Sequence, residues 1–189
     1  MPWLAGVATD QPGERGTRRR FGNLILSRLP VKQVYRWLLP LPCEPGVAGM
    51  PRIAVDAVVA APFGDLRVIT THLEWYSIVQ RRAQVEELRR IYADGHAHAR
   101  DGRRIMAADT GPFETLIRPK ATVICGDFNL EYASDLHARI VAPFGDATPA
   151  LAGSPHQFPV LEVIGCHGPR PIGVAGVVRQ HLVAEVERE

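Results

Sequence analysis

Two polar side chains follow the apolar run Val123-Ile124-Cys125 and Gly126: the carboxylate of Asp127 and, two positions on, the carboxamide of Asn129. An ionised carboxylate only accepts hydrogen bonds, whereas an amide both donates and accepts. Together they suit activation of a water beside an anionic phosphate. The same residues also suit a plain polar turn, since Gly, Asp and Asn are ordinary turn formers; the pattern alone leaves both readings open. A second polar terminus, His72-Leu73-Glu74-Trp75, closes the run Leu66-Arg67-Val68-Ile69-Thr70-Thr71. An imidazole titrates near neutrality and can hold or release a proton there.

Both groups sit at the ends of strand-like runs. A short apolar run bounded by Gly reads as a buried strand entering a tight loop. If extended backbone persists through Asn129, its side chain and that of Asp127 share one side, because strand side chains alternate. Residues 53–60 and 66–72 read as hairpin arms, with Ala61-Pro62-Phe63-Gly64-Asp65 suiting a longer turn. Ser77 is a natural N-cap for a helix that places Ile78, Val85, Leu88 and Tyr92 on one stripe, with Arg81, Arg82, Glu86, Arg89 and Arg90 on the other sides. Such a helix lies on a sheet. Beyond Gly95 the pattern reads as a fraying helix end, which disfavours a metal role for His96 and His98.

Residues 5–20 read as loop, punctuated by Asp10, Pro12, Gly13 and Gly16. Arg15, Arg18, Arg19 and Arg20 form a basic cluster there, either a solvated face or a means of steering phosphate. Residues 23–28 read as a strand, residues 31–37 as a second of imperfect period, and residues 39–46 as a proline-rich connection. Gly111-Pro112 and Arg118-Pro119 mark a loop. Ser134 reads as the N-cap of a short helix over 135–141, which accounts for Ser134, Asp135 and His137 without a catalytic triad. Strands are expected over 160–164 and 174–178, and a charged helix-like run over 180–189.

Phe21-Gly22-Asn23-Leu24-Ile25-Leu26-Ser27-Arg28, then Thr71-His72-Leu73, then Gly126-Asp127-Phe128-Asn129 occur here in an order that resembles the endonuclease/exonuclease/phosphatase superfamily. The resemblance covers roughly residues 5–150 of one domain spanning 1–189, with 151–189 a divergent tail. It implies an α/β fold, a four-layer α/β/β/α sandwich with the site at one rim of its paired sheets. It also implies hydrolysis of a phosphodiester or phosphomonoester by an activated water, assisted by Mg²⁺ or Mn²⁺. By that resemblance Asp127 orients or deprotonates the water and holds the metal, Asn129 supports phosphate and water, and His72 contacts the scissile phosphate. The implied partner is a phosphate ester: nucleic acid, a phospholipid head group or a small ester.

Two parts of the family pattern have no match. Residues 1–20 offer no strand carrying the family's metal-binding glutamate or first-strand asparagine, and Glu14 in its Pro/Gly loop is a poor substitute. After residue 150 no late aspartate and no terminal Ser-Asp-His follow; His167 and His181 lack a preceding aspartate. We therefore expect an incomplete sandwich, shortened at its start and altered at its end through a misplaced start codon and a shifted frame. Activity should be weak, the alternative being a non-catalytic remnant that binds phosphate ligands.

The 189-residue length and 46% hydrophobic content suit one globular domain, and a net charge of +2 gives no polyanion signal. Cys43, Cys125 and Cys166 match no zinc spacing and no disulfide framework, and read as buried or incidental thiols. No apolar run reaches membrane-spanning length, and Met1-Pro2-Trp3-Leu4-Ala5-Gly6 lacks the character of a signal peptide, so the expected location is cytoplasmic.

Overall fold

The computed structural model describes residues 3–101, 118–143 and 162–164. Strands β1 (Trp3–Pro12) and β2 (Arg18–Leu26) form an antiparallel ribbon closed by a 3-10 turn at Glu14–Gly16. This corrects the loop reading of residues 5–20. Turn formers break a segment left to itself, but β1 takes its ladder bonds from β2, and Asp10, Pro12 and Gly13 fall at the ribbon's tip. Gly6 has a packing reason as well: a Cβ there would collide with the Val55 side chain of the second sheet. At the tip, Arg18 Nε and Arg20 Nε both donate to the Asp10 carboxylate, at 2.8 and 3.2 Å. These exposed pairs favour the solvated-face reading of the basic cluster.

The second sheet has five strands in the order β3 (Val31–Leu38), β4 (Ile53–Ala61), β5 (Gly64–His72), β6 (Thr122–Asp127) and β7 (Glu162–Ile164). Its pairings are antiparallel except β5–β6, which is parallel. The β4–β5 turn is tighter than expected: Ala61 pairs with Gly64, leaving only Pro62 and Phe63 between. Gly64 supplies the positive φ of 118° that this closure needs.

Parallel neighbours cannot be joined by a hairpin, and the crossover contains helix α1 (Ile78–Asp101). Ser77 Oγ caps it by accepting from Gln80 N at 3.0 Å. Val85, Leu88, Ile91 and Tyr92 pack with Ala54, Ile69 and Ile124 of the sheet, and α2 (Asp135–Val141) adds Ile140. Ile78, expected on this stripe, is exposed instead, because the first turn of α1 precedes the stretch that rests on the sheet. The helix also runs through Gly95 rather than fraying there. Gly95 is where the buried Arg67 guanidinium comes up from the sheet, and a Cβ would run into its Nη1. His96 therefore sits on a helix, its ring 4.1 Å from that of Tyr92.

The described residues thus stack as helix, five-stranded sheet and two-stranded ribbon, a mixed α/β arrangement of sandwich type. Arg67, Ile69 and Ala54 face the helix, while Ile53 and Val55 face the ribbon. Cys43 is exposed; Cys125 is buried, and burial pushes its thiol pKa up to about 11. Among the described residues no helix is long and apolar enough to cross a membrane. Gly111-Pro112, Cys166, His167, His181, the strand over 174–178 and the terminal charged run lie outside the described residues.

Candidate active site

His72 and Asp127 are the last residues of β5 and β6, and the parallel register pairs them directly. His72 Nε2 lies 3.7 Å from Asp127 Oδ2, beyond hydrogen-bond length and close enough for both to address one small ligand. Their exposures differ: the His72 side chain is 18% accessible and that of Asp127 45%. Burial lowers the His72 pKa, and the nearby Arg52 charge lowers it further, outweighing the upward pull of Asp127 and Glu74. The imidazole is accordingly held neutral near pH 7.

The strand ends at Asp127, so extended backbone does not carry through to Asn129 as the alternation argument supposed. Asn129 instead adopts φ of 50°, a conformation its short amide tolerates. Its N–H donates to Asp127 Oδ1 at 3.0 Å, and its Nδ2 donates to Leu73 O at 2.8 Å. Leu73 N returns a bond to Asp127 O at 2.9 Å. Asn129 thereby stitches the two strand ends together and fixes one oxygen of Asp127. Gly126 makes the approach possible: at φ of 148° its Cα faces Thr71 O, and a side chain would strike that carbonyl.

Three further residues complete the rim. Asn23 on β2, with its amide oriented to satisfy both neighbours, accepts from His72 N at 3.3 Å and donates to Ile53 O at 3.1 Å. It ties the ribbon to the strand that carries the imidazole. Glu74 is buried, and its carboxylate is fully engaged: Oε2 accepts from Met50 N and Arg52 Nε, and Oε1 from Trp75 N and Tyr76 N. Burial raises the Glu74 pKa, but those backbone bonds and the Arg52 charge outweigh it, and the net shift is downward. Arg52, 5% exposed, keeps Nη1 without a hydrogen-bond partner and lies 5.6 Å from the Phe21 ring centroid. Phe21 in turn packs 6.0 Å from the His72 ring. A sequence reading that stops at motif centres passes over Arg52 and Glu74. The available signal was an acid between the apolar Leu73 and Trp75, two positions past the histidine.

On the helix side of Asp127 a cleft of about 720 Å³ opens between the starts of α1 and α2. Asp127 and Asn129 line it together with Trp75, Ile78, Arg81, Arg82, Glu131 and Asp135.

The donor set admits a divalent ion only loosely. Glu74 has no free oxygen, and among the described residues no group of three or more His, Cys, Asp or Glu side chains could hold a metal. At the strand ends Asp127 presents an exposed carboxylate oxygen. That fits Mg²⁺, which accepts one or two carboxylates and completes its octahedron with water and substrate phosphate.

The model of the endonuclease/exonuclease/phosphatase family matches residues 2–179, extending past the point where the motif resemblance fades. A solved mannosyl-6-phosphatase from Bacteroides thetaiotaomicron superposes with a TM-score of 0.50 at 12% identity, covering 78% of this chain and 51% of its own. A functionally unknown conserved protein from Enterococcus faecalis V583 gives 0.48 at 18% identity, covering 78% and 52%. A Bacteroides vulgatus protein described as an endonuclease/exonuclease/phosphatase gives 0.46 at 20% identity, covering 77% and 51%. The chain spans about half the length of these structures. No curated protein matches it.

Proposed function

Because the chain belongs to the endonuclease/exonuclease/phosphatase family, we propose that it hydrolyses a phosphate ester through an activated water. The observation that carries this reading is the His72–Asp127 pair, set 3.7 Å apart at the carboxyl ends of adjacent parallel strands. Asp127 uses its exposed oxygen to take a proton from water as the water oxygen bonds to phosphorus. The ester P–O bond breaks, and the alcohol leaves as its oxygen takes a proton from solvent, to which Asp127 returns the one it accepted. Neutral His72 offers an N–H to a non-bridging phosphoryl oxygen, held at its station by Asn23. Asn129 keeps the Asp127 carboxylate oriented and stands beside the same phosphate.

Members of the family generally use divalent metals. Mg²⁺ or Mn²⁺ held at Asp127 would polarise the phosphoryl oxygen and offset charge on the leaving oxygen. With Asp127 the one free carboxylate at the paired strand ends, affinity for the ion is low and turnover weak.

The test is hydrolysis of bis-p-nitrophenyl phosphate at millimolar Mg²⁺ or Mn²⁺, with EDTA as control. Asp127→Asn should lower kcat/KM by about 100-fold or more, the scale of losing a positioned general base. Undiminished hydrolysis by that variant, or in EDTA, rules out the mechanism. The full engagement of Glu74 favours a second reading, a domain that binds phosphate esters without turning them over. Phosphate-ester binding with no hydrolysis in either metal would select it.

A further inference from the structure

Gln80 and Gln84, buried one turn apart on α1, both tie the proline-rich connection of residues 39–46 to the helix. Nε2 of Gln80 donates to Pro42 O at 3.1 Å, and Nε2 of Gln84 donates to Pro40 O at 3.2 Å. The two amides differ at their other end. Gln80 Oε1 has no hydrogen-bond partner, whereas Gln84 Oε1 accepts from Glu74 N at 2.9 Å. That N–H belongs to the peptide unit whose carbonyl, Leu73 O, accepts from Asn129 Nδ2 at 2.8 Å. The C=O and N–H of a trans peptide point in opposite directions. This unit is therefore held from α1 on one side and from the Asn129 loop on the other.

We propose that Gln84 is a positioning residue for the candidate site, acting through the Leu73–Glu74 peptide on the Asn129 carboxamide and through Asn129 on the Asp127 carboxylate. This role rests on the phosphoesterase reading only for what the positioning serves. Three bonds run in series: Glu74 N to Gln84 Oε1, Asn129 Nδ2 to Leu73 O, and Asn129 N to Asp127 Oδ1. A planar peptide fixed at its N–H cannot turn without moving its carbonyl, so the acceptor on Gln84 sets where Leu73 O meets Asn129. Bonds in series also polarise one another, and an acceptor at the N–H makes the carbonyl of the same unit a better acceptor itself. Packing of the helix does not demand that acceptor. Gln80 is buried on the same helix and tethers the same connection with its Oε1 unbonded. The Nε2 bond of Gln84 to Pro40 O is thus the structural half of the side chain, and its Oε1 bond is the half that reaches the site.

Amide hydrogen exchange followed by NMR tests this, with Gln80→Met as the control for Gln84→Met. Each variant replaces a buried carboxamide by an apolar side chain of similar length and cuts one bond to the proline-rich connection. Only Gln84→Met also removes the acceptor of Glu74 N. The Asn129 N–H should then exchange about tenfold faster than in the native chain, the scale of one net hydrogen bond, and at the native rate in Gln80→Met. Gln84→Glu keeps an acceptor whether ionised or not and should restore slow exchange. Equal rates in the two methionine variants, or no rescue by Gln84→Glu, overturns the proposal and leaves Gln84 a packing residue. The native chain gives a test that needs no variant to fold: the Glu74 and Asn129 N–H groups should be released together, with the same dependence on low concentrations of urea. Independent release overturns the proposal as well. In bis-p-nitrophenyl phosphate hydrolysis at millimolar Mg²⁺, Gln84→Met should lower kcat by about tenfold with KM unchanged, the scale of losing a partner that orients a functional group. Gln80→Met should change neither, and equal kcat in the two variants counts against the role. No hydrolysis by the native chain with the exchange result intact would instead sink the phosphoesterase reading and leave the positioning standing.

Discussion

The sheet carries an acid–base pair at the site rim and another deep within it, and the two are built differently. At the rim, Asp127 and His72 stand 3.7 Å apart with solvent at the carboxylate. In the interior, Asp56 on β4 is closed off from water and receives Arg67 through Nε at 3.0 Å and Nη2 at 2.7 Å. Arg118 Nη1 and Trp37 Nε1 each add a bond at 3.2 Å, and the Arg118 guanidinium lies 3.9 Å over the Tyr35 ring. Arg67 Nη2 also reaches Ile91 O of α1. The interior pair has every oxygen occupied, so it can bind nothing else and serves to fix the helix and sheet in register. The rim pair has one carboxylate oxygen held by Asn129 and the other uncommitted. Spare bonding capacity, and not charge as such, marks the place where a ligand can act.

That contrast can be broken most directly at Asp56. Asp56→Ala leaves two buried guanidinium groups without their anion and should cost about 3–5 kcal/mol of folding stability, read from a urea midpoint. A loss under about 1 kcal/mol would show that the interior pair is as loose as the rim pair.

Glu74 gives a smaller, pH-dependent effect. Its folded pKa lies below the unfolded value near 4.5, so its stabilisation is present above pH 4.5 and fades as pH falls through the folded pKa. Glu74→Gln should lower stability at pH 7 by about 1.5–3 kcal/mol, the scale of hydrogen bonds to a charged group. The gap between variant and native protein should narrow in acid. A gap independent of pH between neutrality and acid would mean the carboxylate charge is not what matters there.

The smallest stability effect belongs to the rim. Asp127→Asn keeps an oxygen for the Asn129 N–H and removes only an exposed charge, so the urea midpoint should correspond to a change within about 0.5 kcal/mol. A large change would mean that the rim is as structural as the interior.

How much of this was legible beforehand follows from where each signal resides. The hairpin arms, the helix capped by Ser77 and the short helix capped by Ser134 declare themselves through local spacing and capping chemistry. Strand β1 did not, because its Asp, Pro and Gly near the tip imitate a loop and its partner is not part of its own pattern. Gly95 misled for a related reason: it makes room for Arg67, 28 residues earlier in the chain, rather than ending a helix. At the rim, His72, Asp127 and Asn129 were named from motif ends. The bonds of Asn129 to Leu73, and of Asn23 to His72, depend on a register that only the folded sheet defines.

The parallel junction of β5 and β6 also bears on how the chain folds. Both hairpins close over short connections and can zip locally, whereas Leu73 and Asn129 must meet across 56 positions with α1 already in place. Contacts of such separation carry a loop-closure cost and form slowly. A partly folded chain can therefore hold both hairpins and much helix yet still keep His72 apart from Asp127, so that helix content returns on refolding before ligand binding does.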